Sequence, residues 1–151
     1  MHKFLLILLI SISIFTTVQL LAQCTPPSAD ICQDANVLCS LDEVNGYSCS
    51  NPTYSNPTGC NPLCPPGGGS QNTAWWAFVC DGGNVTITIT FQNCSVNGQG
   101  VQMGIWGDCD CAESVACYRN CFGPGQFTLT ASLTACKTYY LFVDGCSGDV
   151  C

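Results

Sequence analysis

The sequence predicts an all-β fold, an antiparallel β-sandwich of jelly-roll type that is disulfide-rich and preceded by a signal peptide. Three observations support this prediction. Short segments alternate apolar with polar residues at a period of two, which is typical of half-buried strands. Turns rich in glycine and asparagine separate these segments, and no long helical pattern interrupts them. The chain has 15 cysteines in 151 residues, a density typical of disulfide-bonded secreted domains.

The clearest strand pattern lies in residues 85–91, where apolar residues alternate with threonines. A second alternating run occupies residues 75–79. The segment between them, residues 81–84, contains two glycines that can adopt the positive φ of a tight turn. Together these features predict a β-hairpin. Three further alternating segments predict strands at residues 101–106, 127–131 and 138–144.

The N-terminus has the pattern of a secretory signal peptide at residues 1–22, with a weakly basic start, an apolar run and a small-residue cleavage site. Residues 23–71 form a cysteine- and proline-rich segment that we expect to pack on the domain. Residues 72–151 form the β-sandwich core, which we expect to be truncated at its C-terminal end. No other apolar run could cross a bilayer, so we predict no membrane span and a secreted or cell-surface location.

Between the strands, the sequence predicts one short helix and two loops. Asp30 is a candidate helix cap, with Gln33 three residues further on. Residues 50–71 and 107–125 are predicted as long loops held by cysteines.

The cysteines predict disulfides because the chain is expected to enter an oxidising compartment. A Cys80–Cys94 bond is excluded, since a strand of roughly 30 Å would separate the two residues. Local bonds within residues 109–121 are plausible, and the remaining connectivity stays open. Cys-x3-Cys spacings could also suit zinc, but disulfides are the favoured interpretation. The disulfide candidates are Cys32, Cys39, Cys49, Cys60, Cys64, Cys109, Cys111, Cys117, Cys121, Cys136 and Cys146.

The odd number of cysteines has two explanations. One is lipidation of Cys24, and the favoured one is a chain that continues past Cys151.

The charge of the mature chain restricts its partners and chemistry. Without the signal peptide, Arg119 and Lys137 would be the only cationic side chains beside ten acidic residues. Nucleic acids are bound by clustered lysine and arginine, so we expect no nucleic acid partner. The mature chain would also lack histidine, which excludes Ser-His and Cys-His nucleophilic catalysis. The sequence therefore favours a non-enzymatic protein.

Acidic residues supply the candidate metal ligands. Asp108 and Asp110 share one loop, and Asp144 and Asp149 lie near the C-terminal end. With loop carbonyls, these carboxylates could bind calcium, the one candidate cofactor. Solvated surface acids are the simpler explanation. Acid–base catalysis by Asp108, Asp110 and Glu113 is a weaker alternative.

Aromatic residues supply a candidate carbohydrate site. Neighbouring strand residues point to opposite faces, so only one of Trp75 and Trp76 is expected in the core. The same holds for Tyr139 and Tyr140. The outward rings, with Trp106 and Tyr118, could stack on a polysaccharide. The favoured alternative is that a second sheet or a disulfide-bonded loop covers them.

Several motifs resemble a known domain family. The matching segments are residues 37–42, 75–79, 100–106, 137–145 and 148–151. They resemble the cysteine-rich, N-terminal-type β-sandwich domain of large, adhesin-like surface proteins of Gram-negative bacteria that use type IX secretion. The resemblance extends distantly to bacterial pre-peptidase C-terminal domains. It implies further domains of the same polypeptide beyond Cys151.

Two functions remain open on this basis. The first is a structural or adhesion module whose partners are other surface proteins. The second is a carbohydrate-binding module with exposed aromatic rings, assisted by calcium. Burial of both Trp75 and Trp76 would count against the second.

Overall fold

A computed structural model describes residues 28–48, 60–121 and 123–151 of the chain, and these residues form seven strands in two sheets. The strands are β1 (Asn36–Leu38), β2 (Ala74–Cys80), β3 (Gly83–Phe91), β4 (Val101–Trp106), β5 (Ser114–Asn120), β6 (Gly125–Leu133) and β7 (Lys137–Gly145). Three short 3-10 helices, η1 (Cys32–Asp34), η2 (Leu41–Val44) and η3 (Cys146–Gly148), complete the secondary structure. Within these ranges, no helix has the length and apolar character needed to cross a membrane.

The two sheets differ in size. The large sheet has the order β1-β2-β7-β4-β5, and the small sheet pairs β3 with β6. All pairs are antiparallel except β1 with β2. The alternating apolar residues of both sheets meet in one core, which includes Trp76, Phe78 and Leu141 from the large sheet and Phe127 and Leu129 from the small one. The predicted all-β, sandwich-like architecture is confirmed, whereas the jelly-roll topology and the signal peptide remain predictions.

The predicted hairpin of β2 and β3 is wrong, although both strands exist. β2 pairs with β7 in the large sheet, and β3 pairs with β6 in the small sheet. The connection therefore crosses between the layers. Gly82 and Gly83 both have a positive φ, as the hairpin prediction required, but here they turn a corner of the sandwich.

A second connection runs beside this corner. The chain from β6 to β7 also passes between the sheets, and the Cys136 N–H donates to the Cys80 carbonyl over 2.8 Å. A Cβ atom at Gly82 would lie 3.1 Å from the Cβ of Ala135, so the two corners are closely packed. The tight turn seen in the sequence is thus one of two adjacent crossings.

A disulfide-bonded layer covers the other face of the large sheet. Trp75, Trp106 and Phe142 project from the sheet into a cluster with Leu63 and several cysteines. Three disulfides fasten the N-terminal segment to β5 and the loop before it: Cys32–Cys109, Cys60–Cys111 and Cys64–Cys117. The large sheet is therefore buried on both faces.

The expectation of local bonds within residues 109–121 is wrong. This stretch contains four cysteines, and each bonds to a distant part of the chain because the stretch lies against other segments. They are Cys109, Cys111, Cys117 and Cys121. Two further bonds, Cys94–Cys151 and Cys121–Cys146, secure the C-terminal end. The exclusion of a Cys80–Cys94 bond is confirmed.

Two of the remaining disulfide candidates lie at the surface: Cys136 is an exposed thiol, and Cys39 is exposed just after β1. Cys80, which was not a candidate, is a half-buried thiol. Cys49 lies outside the described residues.

Two local predictions also need correction. The predicted helix near Asp30 is one 3-10 turn, η1, whose N-cap is Ile31 without a side-chain cap. The predicted loop at residues 107–125 contains β5, which pairs with β4.

Candidate functional site

The aromatic residues predicted to bind carbohydrate do not form an exposed platform. Trp75, Trp76, Trp106 and Tyr139 are each no more than 3% exposed, and Tyr140 is half-buried. Trp76 and Tyr139 face the small sheet, whereas Trp75 and Trp106 face the disulfide-bonded layer. The expectation that only one tryptophan of the pair lies in the core is wrong, because both faces of the sheet are covered. A disulfide-bonded layer covers Trp75 and Trp106, as in the favoured alternative, and burial of both Trp75 and Trp76 counts against carbohydrate binding by these rings.

Tyr139 has a structural hydrogen bond in addition to its packing. Its hydroxyl accepts from the Thr134 N–H over 2.8 Å, which holds the corner between β6 and β7. Its ring packs beside Phe78 with centroids 5.9 Å apart.

Asp144, a predicted calcium ligand, is completely buried at the end of β7. One carboxylate oxygen accepts from the Gln71 N–H and the Thr73 hydroxyl, and the other accepts from the Gln102 amide, over 2.7–2.8 Å. Burial raises the pKa of Asp144, and these donors offset only part of that effect. Donors directed at both oxygens leave this carboxylate suited to holding the 70–73 segment rather than to binding a cation.

Asp149, the second predicted ligand in this region, is also completely buried. Its carboxylate accepts from the N–H groups of Gly100, Val96 and Asn97 over 2.9–3.3 Å. Burial alone would raise the pKa of Asp149, but these N–H donors outweigh it and lower the pKa below its ordinary value. Asp149 therefore fixes the connection between β3 and β4.

The acidic loop before β5 is more exposed. Asp108 accepts from the Ala112 N–H over 3.1 Å, which closes a turn of the loop, and Asp110 points to solvent. Glu113 forms an ion pair with Lys137. Asp108 and Asp110 thus neighbour each other in sequence and are not brought together with Asp144 or Asp149 in any group of possible metal ligands among the described residues.

One group of three possible ligands does occur within the described ranges. It consists of Cys94, Asp149 and Cys151. The two sulfur atoms are joined in a disulfide, so they are not available to a metal.

The feature that our sequence reasoning missed as a site is the outer face of the small sheet. Thr88 and Thr128 lie opposite each other with hydroxyl oxygens 2.9 Å apart, and Thr86 and Thr130 repeat the arrangement at 3.4 Å. The Gln126 amide donates to Thr90 over 2.8 Å. β3 and β6 contain no charged residue, so this face, the hydroxyl face, is an uncharged array of exposed hydroxyl and amide groups.

The signal for this face was present in the sequence. The alternation of threonine in both strands predicted a polar side, but not that the two threonine rows would pair. The two threonine rows pair because β3 is hydrogen-bonded to β6, whereas the hairpin prediction paired β3 with β2.

An exposed aromatic ring lies beside the small sheet. Tyr118 of β5 stacks on Phe127 of β6 with ring centroids 4.3 Å apart, and it is 42% exposed. The stack holds the Tyr118 ring in a fixed orientation.

A groove of about 1290 Å³ lies between the sheets on the β3 side. Its walls include Ala74, Trp76, Ile87 and Ile89, and Tyr47 contributes from the segment after η2. The isoleucines of β3 are only half-buried there.

No protein-family model, curated protein or solved structure matches this chain.

Proposed function

We propose that the protein is a non-enzymatic structural or adhesion module that acts outside the cell or on its surface, as part of a larger bacterial protein. The observation that carries the proposal is the set of five disulfides between distant parts of the chain. Such bonds form and persist in oxidising compartments and are rare in the cytosol. The resemblance to adhesin-like surface domains supports the same role.

The structural roles of the acidic side chains are consistent with this proposal. Asp144 and Asp149 use their carboxylates to hold loops, and Glu113 is paired with Lys137. These groups stabilise the fold, and the surface that remains open on the small sheet is uncharged.

Location can be tested on cells of the source organism. Intact cells and culture medium are probed with an antibody against the domain, and thiols are blocked with an alkylating reagent before lysis. We expect labelling without permeabilisation, and no alkylation of the ten bonded cysteines. Labelling only after permeabilisation, together with alkylation of these ten cysteines, would contradict the proposal.

A carbohydrate-binding role is the second candidate, and one observation favours it. Tyr118 offers an oriented, exposed ring at the border of the small sheet, stacked on the core-facing Phe127 of β6. An exposed, oriented aromatic ring of this kind suits stacking on an uncharged polysaccharide.

The second candidate is tested with the oxidised protein on an array of neutral glycans, with and without calcium. Binding through Tyr118 predicts that Y118A abolishes the signal while Y118F, which keeps the ring, retains it. A silent array from a folded sample leaves the structural or adhesion role. Binding that is equal in wild type and Y118A would exclude Tyr118 as the contact.

A further inference from the structure

The small sheet has an edge without the usual protection against pairing. Within the described residues, β3 pairs only with β6, over nine residues without a register shift. Natural edge strands are protected by charges, proline, bulges, short length or a covering loop. β3 is nine residues long with no charge, proline or bulge, and no described strand pairs with its free edge.

The other edges of the sandwich are protected. β1 is three residues long, and β5 carries Arg119. The outer edge of β6 lies beside β5, whose Tyr118 stacks on Phe127. Among the described strands, β3 is therefore the one that is open to a partner.

The sequence of β3 is complementary to itself. Counted outward from Thr88, the first residue on each side is an isoleucine, Ile87 or Ile89. The second is a threonine, Thr86 or Thr90, and the third is Val85 or Phe91. Antiparallel pairing of two copies about Thr88 would place isoleucine opposite isoleucine and threonine opposite threonine. It would also place valine opposite phenylalanine. Self-complementarity of this kind is what a two-fold symmetric interface requires.

The layer beneath also favours a wider small sheet. Two strands face five, and Val85, Ile87 and Ile89 are half-buried beside the groove between the layers. A second copy paired along β3 would extend the small sheet to four strands and cover this apolar border. Burial of apolar surface would then add to the backbone hydrogen bonds.

We propose that β3 is a dimerisation edge, where two copies of this chain pair antiparallel with the two-fold axis at Thr88. The dimer has a continuous four-stranded small sheet of order β6-β3-β3-β6. Its outer surface joins two hydroxyl faces into one. This inference goes beyond the structural role proposed above and does not depend on it.

The test uses two lysine substitutions that differ only in their distance from the axis. T88K places two ammonium groups on directly opposite residues, with Cβ atoms roughly 5 Å apart, where like charges are unfavourable. T128K adds the same charge to the same face and removes the same Thr88–Thr128 hydrogen bond. Its two copies lie three strand spacings apart, roughly 14 Å, which exceeds the Debye length of about 8 Å at physiological salt.

Light scattering after size-exclusion chromatography, over a range of concentrations of the oxidised protein, gives the molar mass. We expect a twofold increase over the monomer mass for wild type and T128K, and loss of that increase for T88K. A mixture of T88K with T88E should regain the twofold mass, because opposite charges then meet at the axis. That rescue separates a specific interface from a folding defect.

Three results would overturn the proposal: a wild type that stays monomeric at every concentration, equal behaviour of T88K and T128K, or no rescue in the mixture. Hydrogen exchange gives an independent measurement. Amides of residues 84–91 should become more protected as the concentration rises, and unchanged protection in a wild-type dimer would place the interface elsewhere.

Discussion

Asp144 and Asp149 show how far sequence reasoning extends at the scale of single residues. Both were predicted as calcium ligands from their type and position. In the structure both are buried, and each holds a different loop through donors from residues distant in sequence. Burial follows from the apolar strand before Asp144, but the donors could not be predicted, because they depend on how β4, β7 and the loops meet.

The first prediction concerns the carboxylate of Asp149. D149N leaves one acceptor oxygen and presents an N–H₂ group to backbone N–H donors, so the loop between β3 and β4 loses hydrogen bonds. We expect the free energy of unfolding to fall by about 2–3 kcal/mol at neutral pH. Urea unfolding with intact disulfides measures this loss. The control is D110N on the exposed Asp110, with an expected change below about 0.5 kcal/mol; equal losses would contradict the prediction.

The same variant predicts a pH dependence. The pKa of Asp149 is lower in the folded state than its ordinary value of 3.8, so ionisation stabilises the fold above the unfolded-state pKa. This stabilisation is lost as the pH falls through the folded-state pKa. The difference in unfolding free energy between wild type and D149N should therefore shrink in acid. A difference that stays constant down to the lowest pH measured would show that the charge is not involved.

The contribution of Asp144 to stability should depend on pH with the opposite sign. Its pKa is raised by burial, so the folded protein binds a proton there more readily than the unfolded chain. Its contribution thus favours folding at low pH and weakens as the pH rises from the unfolded-state pKa to the folded-state pKa. Titration of the two carboxyls by NMR should show shifts in opposite directions.

At the scale of elements, periodicity predicted strands well and their partners poorly. β3, β4, β6 and β7 lie where alternation placed them, since one face of each strand must be apolar to reach the core. The partner of β3 was wrong, because glycines with positive φ serve both hairpins and sandwich corners. The close spacing of cysteines around Cys117 predicts a loop, whereas residues Ser114–Asn120 form β5.

The second prediction concerns the disulfide that ties β5 to the N-terminal segment. The double variant C64S/C117S removes a bond between residues 53 apart in sequence, without leaving an odd thiol. Because Cys60–Cys111 stays closed, the ring that opens consists of residues 60–64 and 111–117. The unfolded chain gains freedom when this ring opens, so we expect a loss of about 2–4 kcal/mol in unfolding free energy. Urea unfolding under oxidising conditions measures it.

The matched control is C80S/C136S. These two residues are thiols, and the Cys136 N–H in the connection from β6 to β7 donates to the carbonyl of Cys80 in β2, so their replacement leaves this backbone hydrogen bond in place and should cost much less. An equal cost would indicate that they are bonded to each other in the oxidised protein.

At the scale of the whole molecule, the number of layers decides between the two interpretations of the aromatic residues. A two-layer sandwich leaves an outer face for one aromatic residue of each neighbouring pair, which is the basis of the carbohydrate hypothesis, whereas the favoured alternative covers that face. The disulfide-bonded layer takes that face. The cysteine content predicted that such a layer could exist, but its position follows from long-range connectivity, which spacing does not determine.

The third prediction tests this layer with tryptophan fluorescence. Trp75 and Trp106 lie under the disulfide-bonded layer, whereas Trp76 lies between the sheets. Reduction without denaturant should loosen the layer and move the emission of the wild type to longer wavelength. In W75F/W106F, which keeps only Trp76, the shift should be smaller. A shift of equal size in both proteins would show that reduction unfolds the sandwich as a whole.

The disulfides also determine how the molecule would respond to a pulling force. One covalent route from residue 28 to Cys151 follows residues 28–32, crosses to Cys109, continues to Cys121 and crosses again to Cys146. Under tension this route becomes taut at an end-to-end distance below about 100 Å, whereas an unlinked chain of the same span would reach about 400 Å. Most of the strands lie outside the route and are shielded from the load. A chain cross-linked in this way keeps its length under a pulling load.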